Sequence, residues 1–195
     1  MSPVRGSKTR RIRLVLEDGS QFCLYEKEVR RLGLSEGEDL PDEVYHKLVT
    51  EVLLPRAKRR ALHLLEKQDR TRASLISKLT ESGYPTEVIR EAVAYVESFH
   101  YIDDDRYARN YIRYHQASKS RTRIKNDLLQ RGVSREVIDA AMEEYVSSEA
   151  ELIQTLLIKK HFDPERADDR ERSRVFRFLL GRGFSLSDVK SALKF

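Results

Sequence analysis

The sequence predicts a mainly α fold: an elongated array of three tandem three-helix repeats, preceded by a small N-terminal β-hairpin and helix region. Three observations lead there. A phrase of fixed spacing recurs three times, a strand-like alternation broken by turn residues opens the chain, and charged residues make up 35% of a 195-residue sequence that is only 39% hydrophobic. That balance leaves less core per residue than one large globule has, and it suits a stack of small helical units with thin cores.

The recurring phrase is centred on Gly83, Gly132 and Gly183. An arginine lies eleven residues before each glycine (Arg72, Arg121, Arg172), a leucine four before (Leu79, Leu128, Leu179) and an apolar residue directly after (Tyr84, Val133, Phe184). A β-branched residue follows at six (Ile89, Ile138, Val189) and an alanine at nine (Ala92, Ala141, Ala192). The glycines are 49 and 51 residues apart, a period of stacked supersecondary units. Each unit is expected to dock on its neighbours to complete its apolar face. Glycine after an apolar helical run is a stop signal, because it takes the left-handed conformation without a Cβ clash. Ser134 and Ser185, two residues on, are placed to cap the next helix, with Asp188 completing a near capping box. Pro85 replaces that serine in the first copy, which moves the expected cap to Thr86. The pairs Tyr84–Ile89, Val133–Ile138 and Phe184–Val189 form hydrophobic staples. Each copy therefore reads as helix, glycine turn, helix.

Taken in order, residues 1–10 form a basic flexible arm. Arg5, Lys8, Arg10, Arg11 and Arg13 carry the whole net charge of +5, so the rest of the chain is neutral overall. Residues 11–54 form the hairpin region. Ile12, Leu14 and Leu16 alternate with polar residues, and Phe22 and Leu24 resume the alternation after Asp18-Gly19. A three-residue turn over Glu17-Asp18-Gly19 pairs Leu14 with Phe22 and Ile12 with Leu24, which puts all five apolar side chains on one face. An isolated hairpin is marginal, so that face needs helical cover. The cover is predicted as a short helix near 26–32 and another over 41–54, where Val44, Leu48 and Val52 repeat at helical spacing. Leu54-Pro55 is expected to break the chain there. The repeats then span 55–100, 101–146 and 147–195. Their leading helices run over 55–68 (Ala57, Ala61, Leu64 and Leu65 inward), 103–116 (Tyr107, Ala108, Tyr111 and Ile112 inward) and 147–160 (Leu152, Leu156 and Leu157 inward).

The segment Tyr101-Ile102-Asp103-Asp104-Asp105-Arg106-Tyr107-Ala108, followed by Ile124, Leu128 and Gly132-Val133, resembles the middle repeat of the RecX regulatory proteins. Phe178-Leu179-Leu180-Gly181-Arg182-Gly183-Phe184-Ser185 resembles the last repeat of that family. The resemblance covers residues 55–195. Leu75-Ile76 departs from a usual Glu-Leu pair, and His100 stands where a glycine usually precedes the tyrosine. The resemblance implies a non-enzymatic regulator of the recombinase RecA that binds RecA filaments on single-stranded DNA and suppresses ATP hydrolysis, strand exchange and filament growth. It implies no cofactor.

Basic stripes are the candidates for such contact. Arg106, Arg109 and Arg113 share one face of the middle repeat's leading helix, opposite Ala108 and Ile112. Lys119, Arg121, Arg123 and Lys125 crowd the start of the next helix, and Arg131 lies at its end. Cations at a helix N-terminus oppose the macrodipole at roughly 0.3–1 kcal/mol each, which favours a binding role over a purely structural one. Arg70 and Arg72 are the corresponding candidates in the first repeat. Weak direct nucleic-acid binding through these groups is a second expectation.

Other classes find little support. Asp103–Asp105 sit at a helix start, where acids cap, so capping is the reading rather than metal binding. The histidines His46, His63, His100, His115 and His161 lack ligand spacing, and no nucleophile has a paired base. Tyr101, Tyr107, Tyr111 and Tyr114 read as core before they read as base-stacking groups. A helix-turn-helix DNA reader acting without RecA is the main rival. The helices after the three glycines, however, begin Thr86-Glu87-Val88, Ser134-Arg135-Glu136 and Ser185-Leu186-Ser187, poor in base-reading side chains. No stretch approaches the ~18 apolar residues of a membrane span, and the lone Cys23 suits a reducing compartment. A cytoplasmic monomer is expected.

Overall fold

The computed structural model describes residues 11–17, 21–145 and 148–194. Strand β1 (Arg11–Val15) pairs antiparallel with β2 (Gln21–Tyr25), with Ile12 opposite Leu24 and Leu14 opposite Phe22. This is the register that keeps the apolar side chains on one face: Phe22 and Leu24 are buried and Leu14 and Leu16 pack beside them, whereas Val15 faces solvent. The turn over Asp18-Gly19 and the basic arm lie outside the described residues.

Helix α1 (Glu26–Leu32) follows directly and stops at Gly33, φ +64°. Its Glu28 carboxylate accepts the Tyr25 N–H at 2.7 Å and pairs with Arg56 at 2.5 Å, tying hairpin, α1 and the next long helix together. The expected break at Leu54-Pro55 does not occur. Helix α2 (Asp42–Lys47) runs through a π-helical segment (Leu48–Leu53) into α3 (Leu54–Lys67) without leaving helical geometry. Proline within a helix normally clashes with the carbonyl four residues back. Here the wider π turn, closed by Leu54 N–H on Val49 O, precedes Pro55 and removes that conflict. Leu48, Val52 and Leu53 all enter the core as a result.

Two compact units make up the chain, one ending at Ile102 and the other beginning at Asp103. The first contains the hairpin, α1 to α3, α4 (Arg72–Glu81) and α5 (Thr86–Ser98). One apolar cluster fills it, joining Phe22 and Leu24 to Ala57, Ala61, Leu75, Leu79, Val93 and Val96. The second contains α6 (Asp104–His115), α7 (Arg121–Gln130) and α8 (Arg135–Met142), then α9 (Glu149–Lys159), α10 (Asp169–Gly181) and α11 (Leu186–Leu193). Of the predicted inward faces, Ala108 and Ile112 on α6 and Leu152, Leu156 and Leu157 on α9 are buried. Tyr107 and Tyr111 are partly buried beside the α6 pair, whereas Tyr101 and Tyr114, read as core, are exposed.

The three repeat glycines have φ of +80°, +79° and +86°. Around each, the glycine N–H bonds the carbonyl three residues back, at 2.9 Å, and the following apolar residue's N–H bonds Leu79, Leu128 or Leu179. These are Schellman turns, and they explain the fixed leucine–glycine–apolar spacing: the two apolar residues meet across the turn. His100 and His161, with φ of +56° and +52°, close two further turns of the same pattern. The position where a glycine is usual is thus filled by a residue type that tolerates the left-handed region better than most.

Ser134 and Ser185 cap α8 and α11 as expected, and the Ser185 hydroxyl also donates to Asp188 at 2.6 Å. The cap expected at Thr86 is absent: Pro85 itself is the N-cap and offers no side-chain bond. The docking of repeats also differs from expectation. In the second unit the apolar clusters of α6–α8 and α9–α11 close separately. Hydrogen bonds join them. Ser120, fully buried, gives its N–H to Arg182 O at 3.0 Å and its hydroxyl to Gly183 O at 2.7 Å. Arg182 donates to Ser118 O at 2.7 Å, and Glu149 accepts the first N–H of α7 at 2.8 Å. A Cβ on Gly183 would fall 2.6 Å from Arg123 Cβ. This glycine therefore serves both its own turn and the close approach of two repeats.

Candidate partner-binding surface

The repeat arginines come first because their spacing is fixed. Arg121 reaches the last carbonyls of α8 at Met142 (3.4 Å) and lies over the Tyr145 ring at 5.7 Å. Arg172 bonds Leu193 O at the end of α11, and also Ala167 O and Pro164 O. Arg72 pairs with Glu97 in the last turn of α5 at 2.8 Å. In each repeat the arginine at the start of the second helix therefore clips the end of the third, where cations suit the helix dipole. That is an internal task for Arg72 and Arg121, and it accounts for the recurrence that the sequence shows. Arg70, just before Arg72, caps the end of α3 through Leu64 O at 3.4 Å.

The middle repeat gathers most of the remaining candidates. Asp103 caps α6 through the Arg106 N–H at 2.9 Å, and Asp105 pairs with Arg109 at 2.7 Å. Arg109 also pairs with Glu144. Lys125 pairs with Asp139 at 2.6 Å. Lys119, expected at a helix start and exposed, is instead half-buried before α7: it bonds Tyr111 Oη at 2.9 Å and Asp127 at 2.8 Å. Arg123 takes the other Asp127 oxygen at 3.0 Å. Burial pushes the Asp127 carboxyl up, but the bonds from Lys119 and Tyr111 outweigh it and hold the group below the ordinary carboxylate range. The same bonds keep Lys119 above the usual lysine value despite its own burial. Burial, with the Lys119 cation beside it, depresses His115. Arg131 donates to Tyr107 Oη at 3.1 Å and lies 5.0 Å over the Tyr111 ring. The Tyr111–Lys119–Asp127 group is thus a structural polar network that half-buries Lys119, whereas Arg131 stays exposed and is held by Tyr107.

What remains outward is narrower than the sequence stripe. Arg106 and Arg113, two turns apart on α6, are exposed with the half-exposed Arg109 between them, and Arg121, Arg123 and Arg131 are exposed while tied to Met142 O, Asp127 and Tyr107. The acids Asp105, Glu144, Asp139 and Glu149 neutralise much of the rest, including the helix N-terminus where the linear sequence crowds its cations. A second basic concentration lies in the first unit. Arg56, Arg59 and Arg60 of α3 line a cleft with Lys78 of α4. The run of basic residues over 56–60 is the available signal for it, but it is hidden within an amphipathic helix that reads as core.

The molecule is therefore a set of three-helix repeats carrying basic side chains on its helices, many of them committed to caps, clips and pairs. Models of the first, second and third three-helix domains of RecX match residues 57–95, 103–142 and 147–193. The chain belongs to the RecX family of regulatory proteins. The regulatory protein RecX of Caldanaerobacter subterraneus subsp. tengcongensis is 30% identical over 163 residues, 83% of this chain and 81% of that one. The Vibrio campbellii protein is 32% identical over 153 residues, 78% of this chain and 97% of its own length. A crystal structure of regulatory protein RecX superposes with a TM-score of 0.61 at 25% identity, covering 97% of this chain and 95% of that chain.

Proposed function

We propose that this protein binds RecA filaments on single-stranded DNA and restrains them, lowering ATP hydrolysis, strand exchange and filament growth. Membership of the RecX family through all three repeats is the observation that carries the reading. The exposed row Arg106–Arg109–Arg113 on α6, with Arg123 on α7, is the proposed contact surface. It is charged and mounted on helices whose opposite faces are locked in a core, so its backbone is ordered before binding. Lys119, Arg121, Lys125 and Arg131 hold in shape the repeat that carries that surface, as Arg70 and Arg72 do for the first repeat. Catalysis is not needed for such a role, because a filament is regulated by how tightly the regulator binds each of its states.

The test is the single-stranded-DNA-dependent ATPase of the cognate recombinase. Substoichiometric protein should depress it, and Arg106→Glu/Arg113→Glu should weaken the effect most at low salt, where charges reach furthest. Unchanged ATPase at a several-fold excess of the wild-type protein over recombinase overturns the proposal.

A further inference from the structure

We infer that the cleft between hairpin, α3 and α4 in the first unit is a binding site for the phosphodiester backbone of single-stranded nucleic acid. The cleft has a volume of about 620 Å³ and is lined by Tyr25, Arg56, Arg59, Arg60, Lys78 and Tyr84, with Cys23 in its wall. Its charge is only partly cancelled, although Glu81 also lines it. Arg56 is tied to Glu28 at 2.5 Å and to Cys23 O at 3.2 Å, and Lys78 pairs with Glu81 at 2.7 Å. Arg59, by contrast, bonds only Pro55 O at 3.4 Å, and among the described residues neither Arg59 nor Arg60 has an acidic partner. Two exposed guanidinium groups beside a third, fixed one form a positive concavity. Guanidinium donors match phosphate oxygens in pairs.

Shape selects a single strand. A duplex presents its phosphates on a convex rod, whereas this is a half-open cleft with room for roughly one or two nucleotides. Arg56 lies 4.8 Å over the Tyr25 ring at its edge, a cation–aromatic platform of the kind on which unstacked bases rest. The walls are pre-formed. Cys23 N–H bonds Gly83 O, and a Cβ at Gly83 would come within 3.1 Å of Cys23 Sγ, so the hairpin closes directly on the repeat's glycine turn. The family's three-helix repeats start only after the hairpin, so this site joins a surface inside the repeat to one outside it.

The test needs no recombinase, so its failure leaves the filament reading standing, and failure of the filament reading leaves this one testable. Binding of a fluorescent oligothymidylate is measured by anisotropy across a salt series for wild type and Arg59→Gln/Arg60→Gln/Lys78→Gln. The variant should bind at least about tenfold more weakly at low salt, and its salt slope should shallow by up to about 2, at about 0.7 for each phosphate that is no longer neutralised. Circular dichroism checks that it is folded. A second measurement uses the wild-type chain alone: Cys23, its one cysteine, reports occupancy of the cleft. The oligonucleotide should slow alkylation of Cys23 by neutral iodoacetamide several-fold. Equal alkylation rates with and without oligonucleotide, or protection by polyglutamate but not by oligothymidylate, overturn the proposal.

Discussion

Gly183 separates two reasons for having a glycine. Its φ of +86° would strain any other residue, and a side chain would also strike Arg123 and Ser120 across the junction of the last two repeats. Gly33 has a φ of +64° but nothing within 4 Å of a built Cβ. Gly33→Ala should therefore cost about 1 kcal/mol from backbone strain alone. Gly183→Ala should cost on the order of 3 kcal/mol and loosen Ser120, since strain and steric conflict add. Denaturant titration of both variants checks this, and equal costs would show that the repeat junction yields freely. The sequence made the left-handed turns legible because glycine spacing and turn chemistry share one local cause. It could not reveal the second role of Gly183, because the atoms it must avoid belong to another repeat.

Among elements, α7 shows how side-chain pairing redistributes a charge pattern. Its cations read as an exposed cluster in sequence, yet Asp127, buried on the same helix, gathers Lys119, Arg123 and Tyr111. The folded Asp127 carboxyl titrates below its unfolded value of ~3.9. Its stabilisation is therefore complete above that pH and drains away as pH falls through the folded value. Asp127→Asn should lower stability at pH 7 by ~2–3 kcal/mol, the worth of hydrogen bonds to a charged group. The gap between variant and wild-type melting temperatures should then narrow as pH drops below about 4. A gap that stays constant down to about pH 2 would remove Asp127 from the network. Linear charge spacing places side chains on a helix face but does not say which of them an acid one turn away will capture. For that reason the site was legible only as a region. Its outward members, Arg106 and Arg113, are told apart by their exposure, which linear spacing does not give.

At the level of the whole molecule, the two units rest on separate apolar clusters. A fragment spanning 103–195 should fold alone, with a cooperative thermal transition and helical circular dichroism. A non-cooperative melt would contradict that independence. The fold class, the three repeats and the hairpin register were readable because each follows from periodicity. The junction at Pro55 was not, because a proline reads as a stop unless the preceding turn is known to be π-helical.

That π segment bears on how the gene could be cut and recombined. A splice at Leu54-Pro55, where the repeats formally start, would sever a helix that runs without interruption from Asp42 to Lys67. It would also part the fully buried Leu48 and Leu53 from Ala57 and Ala61, with which they share a core. A graft of the three repeats onto a foreign leader would thus carry an apolar wound at its joint, whereas a graft at Ile102-Asp103 crosses no such rod. A graft that keeps the hairpin region with the first repeat leaves that shared core whole.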